Sequence, residues 1–395
     1  MDSFDTFLYQ LNVTRRCNLR CSHCYISSDK KDISPDWSES DFLHVIGSIK
    51  EYMISDYAKS RGHKKAEIHV IGGEPTELGI EFFENVLPAA HALLDQAGFP
   101  YKLSLVTNLL TPQSLAVAKL FRSVSTSFEP ETRFTKPKHH QMWLSNIQEY
   151  QCFTRERGIP GIGITSAITK KVIAIGAKDY LESLVALGFR NIHLGFFIPS
   201  GDGDTNRDEL QPEHSDTSDF LIDAFDWYVA NKGKYSELYV NPCQSWIQSM
   251  TENKPFDDIV CPILSGALDV DGDGETISCI ERGGVIDYPS NGNLLETVQV
   301  IDISEGSSVP KYVNSISKIL TGPSYLKEVA SARLLPNVCL RCEHRKLCLG
   351  NCSVLHGQWD QSGDCPGFKR FLDHVSCYVR DSQSKYSDHM KVLQS

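Results

Sequence analysis

The chain has 395 residues, 41% hydrophobic and 23% charged, which suits a large core and two domains rather than a disordered chain. The net charge is −11 with Lys and Arg scattered, so the basic footprint of a nucleic-acid binder is missing, and no run approaches the roughly 20 apolar residues of a membrane span. The acidic start "MDSFDTF" lacks the layout of a signal peptide, so the chain reads as cytoplasmic; there, thirteen cysteines point to metal or redox chemistry rather than to disulfides.

In chain order, "FLYQLNVT" is the first strand, and after a cysteine-rich loop comes a helical stripe of Phe42, Val45, Ile46, Ile49 and Met53. Strand-like runs at 67–73, 101–108, 123–129, 161–169 and 192–198 then alternate with helix-like runs at 80–98, 113–121, 139–158, 178–188 and 218–233. Six β/α units in sequence predict a parallel sheet with right-handed crossovers, and a partial (β/α)6 barrel fits the rhythm better than a doubly wound sheet. Residues 200–217 read as a polar loop or insert. Past about 240 the helical runs shorten, Gly and Asp turns multiply and seven spaced cysteines appear. The expected boundaries are a barrel over 1–235, a smaller C-terminal metal-dependent domain over 236–380 and a polar tail over 381–395. Cys152 lies in a helical pattern and reads as a buried core thiol.

The polar signatures of the first part sit after strands. Cys17, Cys21 and Cys24 follow the first strand, Gly72, Gly73, Glu74 and Pro75 end the second, and Asn108 ends the third. Ser125, Ser127 and Glu129 lie at the fourth. In a β/α barrel these strand ends share one face, and that face carries the site. Three thiolates hold three irons of a [4Fe-4S] cluster and leave the fourth open to an outside ligand. Gly73 allows close backbone approach, Glu74 suits a ligand ammonium, and Asn108 with the Ser125 group suits ribose hydroxyls. The alternatives are a zinc knuckle borrowing a distant ligand such as His63, a helix-capping Asn108 and a simple turn at Ser125.

Cys-x3-Cys-x2-Cys after strand one with Gly-Gly-Glu-Pro after strand two resembles the radical S-adenosylmethionine (radical SAM) superfamily. The resemblance covers the first domain and implies that the amino and carboxylate groups of SAM chelate the open iron. It further implies that His23 lies against adenine, that Ser127 and Glu129 meet the ribose, that Arg133 binds the SAM carboxylate at a shorter spacing than usual, and that the backbone of Leu194 meets adenine.

The second signal is Cys339-x2-Cys342-x5-Cys348-x3-Cys352 with Cys365 beyond it, preceded by Cys261-x12-Gly274-x4-Cys279. Without any family this is one zinc ribbon plus spare thiols, or two clusters. The pattern resembles the SPASM extension of radical SAM enzymes, whose two cysteine groups interlock around two auxiliary [4Fe-4S] clusters. That resemblance assigns Cys261, Cys279 and Cys352 to one cluster and Cys339, Cys342, Cys348 and Cys365 to the other. Cys243, a carboxylate, water or substrate completes the first, and Cys377 rivals Cys365. Asp269, Asp271, Asp273 and Gly274 open like a calcium loop, but Ile280 stands where its bidentate Glu belongs, so a β-turn is the better reading.

The resemblance implies a peptide or protein maturase. It would cleave SAM reductively and take a hydrogen atom from a ribosomally made precursor peptide, giving a side-chain crosslink or an oxidised residue. An electron donor such as flavodoxin or ferredoxin, and a separate leader-peptide recognition protein, are its expected partners. Ile280 and Glu281 follow Cys279 where sulfatase-maturating enzymes carry an Asp base, which counts against formylglycine formation and leaves Glu281 as the candidate base. A SPASM enzyme on a sulfatase or small molecule, an iron–sulfur electron-transfer protein and a zinc-stabilised binding module are the other readings.

Overall fold

Alternation of buried and half-buried side chains makes strand β1 (Thr6–Asn12): Phe7, Tyr9 and Leu11 are sealed beneath helices while Thr6, Leu8 and Gln10 point to the inner face. The computed structural model describes residues 4–32, 35–134, 136–235, 237–279, 281, 290–302, 307–356 and 364–393. β2 (Lys65–Ile71), β3 (Tyr101–Val106), β4 (Ser123–Ser127), β5 (Gly163–Ile168) and β6 (Asn191–Phe196) each pair in parallel with the strand before. Helices α1 (Glu39–Ile54), α2 (Ile80–Ala97), α3 (Pro112–Ala118), α4 (Pro137–Arg157), α5 (Ala177–Ala186) and α6 (His214–Asn231) follow the strands in turn. The expected six β/α units are therefore present, as a partial barrel of parallel strands.

The sheet continues past them at both edges. β7 (Tyr239–Asn241) adds in parallel to β6, and β8 (Ala267–Val270) adds in parallel to the free edge of β1, with β9 (Thr276–Ile277) antiparallel beyond it. The order is β7-β6-β5-β4-β3-β2-β1-β8-β9. These three strands were too short to carry a period, and Asp269 interrupts the apolar run of β8. The turn between β8 and β9 has Gly274 at φ 85°, its N–H donating to the Asp271 carbonyl at 2.8 Å, as the β-turn reading of that segment expects.

A separate ribbon pairs β10 (Thr297–Asp302) with β11 (Ser307–Tyr312). The last helix, α7 (Lys369–Leu393), runs through the segment read as a tail from 381 and buries Phe371, Leu372 and Val375, with Phe371 against Phe225 of α6. Cys152 is exposed rather than buried, because the buried stripe of α4 is Trp143, Ile147, Tyr150 and Thr154 and position 152 points away from it. Among the described residues no helix is long and apolar enough to cross a membrane.

Candidate active site

Cys17, Cys21 and Cys24 leave β1 on a loop held from three directions. On one side the Gly73 N–H donates to the Thr14 carbonyl at 2.8 Å and the Glu74 N–H to the Arg16 carbonyl at 2.7 Å. A Cβ on Gly72 would stand 2.2 Å from the Thr14 oxygen, and one on Gly73 2.3 Å from the Arg15 oxygen. The two glycines are thus needed for the cysteine loop itself to pass, a closer reason than the approach of a ligand. On the second side, residues after β6 grip the loop. The Gly203 N–H donates to the Cys24 carbonyl at 3.0 Å, and Asp202 accepts from the Ser28 N–H at 2.8 Å and from the buried Lys31 ammonium at 3.1 Å. On the third, Arg15 clamps Asp271 and reaches Asp273 at 3.2 Å, which occupies the would-be calcium ligands.

Burial pushes the Cys17 thiol up to about 12 and the Cys21 thiol up to about 11, so these two ionise only beside a compensating cation. His63, the distant zinc ligand considered above, is not with them. It is buried against Phe7, with Nδ1 2.9 Å from the Tyr52 hydroxyl.

Glu74 is fully enclosed, and its carboxylate is occupied. It accepts from the Thr76 hydroxyl at 2.6 Å, the Thr107 hydroxyl at 2.7 Å and the Asn108 N–H at 2.7 Å. Its geometry is that of a strut tying the ends of β2 and β3, with Oε2 taking only the Asn108 N–H among these contacts. Asn108 donates from Nδ2 to the Asn18 side chain at 2.7 Å and accepts the Leu110 N–H at 3.0 Å, so it closes a turn and braces the cysteine loop, while Thr111 caps the helix that follows. Ser125 and Ser127 lie half-buried on β4, and the Leu194 side chain is buried on β6.

His23, Glu129 and Arg133 come together, which the sequence treated as three separate contacts. Glu129 accepts from Arg133 Nε at 2.8 Å and from the Ala167 N–H at 3.0 Å, and its Oε2 lies 3.1 Å from His23 Nε2. The Arg133 guanidinium and His23 hold the buried Glu129 carboxyl well below the usual carboxylate range. His23 Nε2 faces Glu129, and its Nδ1 is buried with no partner among the described residues.

Inside the barrel a cavity of about 590 Å³ is lined by Gln10, Glu67, His69 and His193 from the strands. Tyr25 enters it from the cysteine loop, and the backbone stretch around Leu194 forms one wall. Its far wall is Cys261, Cys279 and Cys352 with Glu281, whose carboxyl burial raises to about 7. Among the described residues, Glu67, Asp257, Asp258, Asp269 and Glu281 line this cavity, together with no Lys or Arg. Tyr25, which no motif singled out, feels both Cys24 and Glu281, so it stands between the first cysteine set and the second.

The remaining four cysteines, Cys339, Cys342, Cys348 and Cys365, surround a small cavity of about 30 Å³. Cys243 belongs to neither group: it is sealed in the core at the start of the helix Cys243–Glu252, and Asp226 is the charge it feels. Cys377 is exposed on α7 and accepts from Arg380 at 3.3 Å, which removes it as a rival to Cys365. The sequence left both open, because spacing says nothing about which side of a helix a lone cysteine takes.

Among the described residues, the group with three ligand atoms all within 4.8 Å of one another is Glu343, His344 and Asp373, whose two carboxylates Lys369 neutralises. The three cysteine sets are wider than that. A single zinc, with Zn–S of about 2.3 Å, gathers its sulfurs about 3.8 Å apart, so the spread suits a cluster of several irons better than one ion.

As a sequence, the chain matches no family model and no curated protein. As a fold it is similar to "Native anSMEcpe with bound AdoMet" at TM-score 0.72 and 14% identity, covering 96% of this chain and 100% of that one. The same protein with bound AdoMet and Cp18Cys peptide gives TM-score 0.69 at 14% identity, over 96% of this chain and 99% of that one. Streptococcus suis SuiB bound to precursor peptide SuiA gives TM-score 0.56 at 14% identity, over 89% of this chain and 72% of that one. At 14% identity the likeness shows that the chain shares the fold of these proteins.

Proposed function

We propose that the chain is a radical SAM enzyme with two auxiliary clusters, acting on a peptide or protein. The observation that carries this reading is the single cavity that Tyr25 enters from the three-cysteine loop and that Cys261, Cys279 and Cys352 close. Cys17, Cys21 and Cys24 would hold the first [4Fe-4S] cluster, whose open iron takes SAM. Cys261, Cys279 and Cys352 would hold the second, with Glu281 replacing Cys243 as the nearest candidate for its missing ligand. Cys339, Cys342, Cys348 and Cys365 would hold the third. When bound, the first cluster and SAM supply hydrogen-atom abstraction from an unactivated carbon.

The chain's own residues do the rest. His23 presents its buried, unpartnered Nδ1 to a bound ligand, and the Glu129–Arg133 pair fixes that ring. Ser125 and Ser127 remain the ribose candidates. The cavity, about 590 Å³ with five carboxylates and no Lys or Arg among the described residues, accommodates a neutral or basic segment and disfavours an acidic one. Peptide maturation with crosslinking or oxidation is favoured over formylglycine formation by Ile280 after Cys279. The fold shared with proteins solved with the Cp18Cys peptide and precursor peptide SuiA supports a peptide substrate.

The test is oxygen-free purification, reconstitution with iron and sulfide, and incubation with dithionite and SAM. About twelve irons per chain and 5′-deoxyadenosine, lost in a Cys17/Cys21/Cys24→Ala variant, are expected. Zinc in place of iron with intact SAM sinks the reading in favour of a binding module.

A further inference from the structure

The charge of the whole chain is −11, yet the segment 333–346 carries Arg333, Arg341, Arg345 and Lys346 against the single carboxylate Glu343. None of these four cations is in an ion pair among the described residues, while Glu343 is taken by Lys369. The same segment exposes Leu334 (75%), Val338 (54%) and Leu340 (49%), three of the most exposed apolar side chains of the described chain. Successive i→i+3 backbone bonds, from Pro336–Cys339 through Cys342–Arg345, wind most of it into a coil of turns, which keeps these groups on one short stretch of backbone. That coil also carries Cys339 and Cys342, two of the four thiols around the small cavity, and both are only half-buried.

Exposed leucines rimmed by unpaired cations are unusual on a monomer surface and mark an interaction site. On an acidic molecule such a patch steers an acidic partner to one place and repels it from the others. From this we infer that the Arg333–Lys346 face docks an acidic one-electron carrier protein against the Cys339, Cys342, Cys348 and Cys365 centre. The acidic character follows from the four cations; the carrier role rests on the proposed reading of those thiols as a cluster site.

The probe is an oxidised flavodoxin, titrated at low ionic strength against the reconstituted full chain by fluorescence anisotropy. The comparison variant is Arg333→Glu/Arg341→Glu/Lys346→Glu, with Lys64→Glu as an exposed charge change elsewhere. Binding is expected to weaken about tenfold or more in the triple variant, to fall with added salt in the wild type and to be unchanged in Lys64→Glu. Leu334→Ser/Leu340→Ser is expected to weaken it while leaving the salt slope alone. Equal affinity for wild type and triple variant, a salt-independent affinity, or binding of a polyglutamate peptide but not of flavodoxin overturns the inference. Iron content on the same samples separates the two claims. Iron missing from the wild type removes the cluster reading, whereas full iron with unchanged affinity removes the docking surface alone.

Discussion

Gly73 shows how little room a single residue has here. Its absent Cβ is replaced by the Arg15 and Arg16 carbonyls, 2.3 and 2.4 Å from where the atom would sit. Gly73→Ala therefore displaces the cysteine loop rather than the sheet. The expected outcome is loss of about four of about twelve irons with the circular dichroism unchanged, read by metal analysis on the purified variant. His63 is a second case. Burial and the nearby Arg61 push its imidazole down to about 4, below the unfolded value of about 6.5. The unfolded chain thus binds the proton more tightly, so stability is whole above about pH 6.5 and is lost as pH falls towards 4. A loss on the order of 2 kcal/mol should appear in urea midpoints measured across that window, and His63→Gln should flatten the dependence.

Among elements, the short stretch after β6 is the least expected contributor. It was read only as a polar insert, yet Asp202 ties down Ser28 and neutralises Lys31, which is 1% exposed. Asp202→Ala removes the carboxylate partner of that buried ammonium and leaves only Cys24 beside it, at about 2–3 kcal/mol, and should lower both the denaturation midpoint and the iron retained by the first set. The cysteine groups give the complementary test. Cys352→Ala should lose about four irons, whereas Cys243→Ser and Cys377→Ser should lose none. The β/α alternation was legible because each barrel strand is five to seven residues long with helices of clear period. The cysteine sets were legible because thiols at such spacings have few other uses. What stayed hidden depends on orientation: Glu74 turned inward as a strut, His23, Glu129 and Arg133 in one knot, and Cys152 facing solvent.

At the scale of the molecule, the boundary read at residue 235 divides a continuous sheet. β8, from beyond that boundary, fills the edge of β1 with the register Leu8↔Ala267 to Leu11↔Val270. A fragment ending at 235 would expose that strand edge and lose β7 as well. It is expected to aggregate on expression, and in the intact chain the amides of β1 and β8 should exchange with solvent together. Separate protection of the two strands would argue for independent domains.

The clamp around the first cysteine loop also has a bearing on biosynthesis. Cys17, Cys21 and Cys24 leave the ribosome well ahead of the groups that seat them, which include Gly73, Asp202, Gly203, Asp271 and Asp273. About 250 further residues, as far as Asp273, must therefore be made before that loop has its final shape. Metal delivery to these three cysteines is, by this geometry, later than their own synthesis by that length of chain.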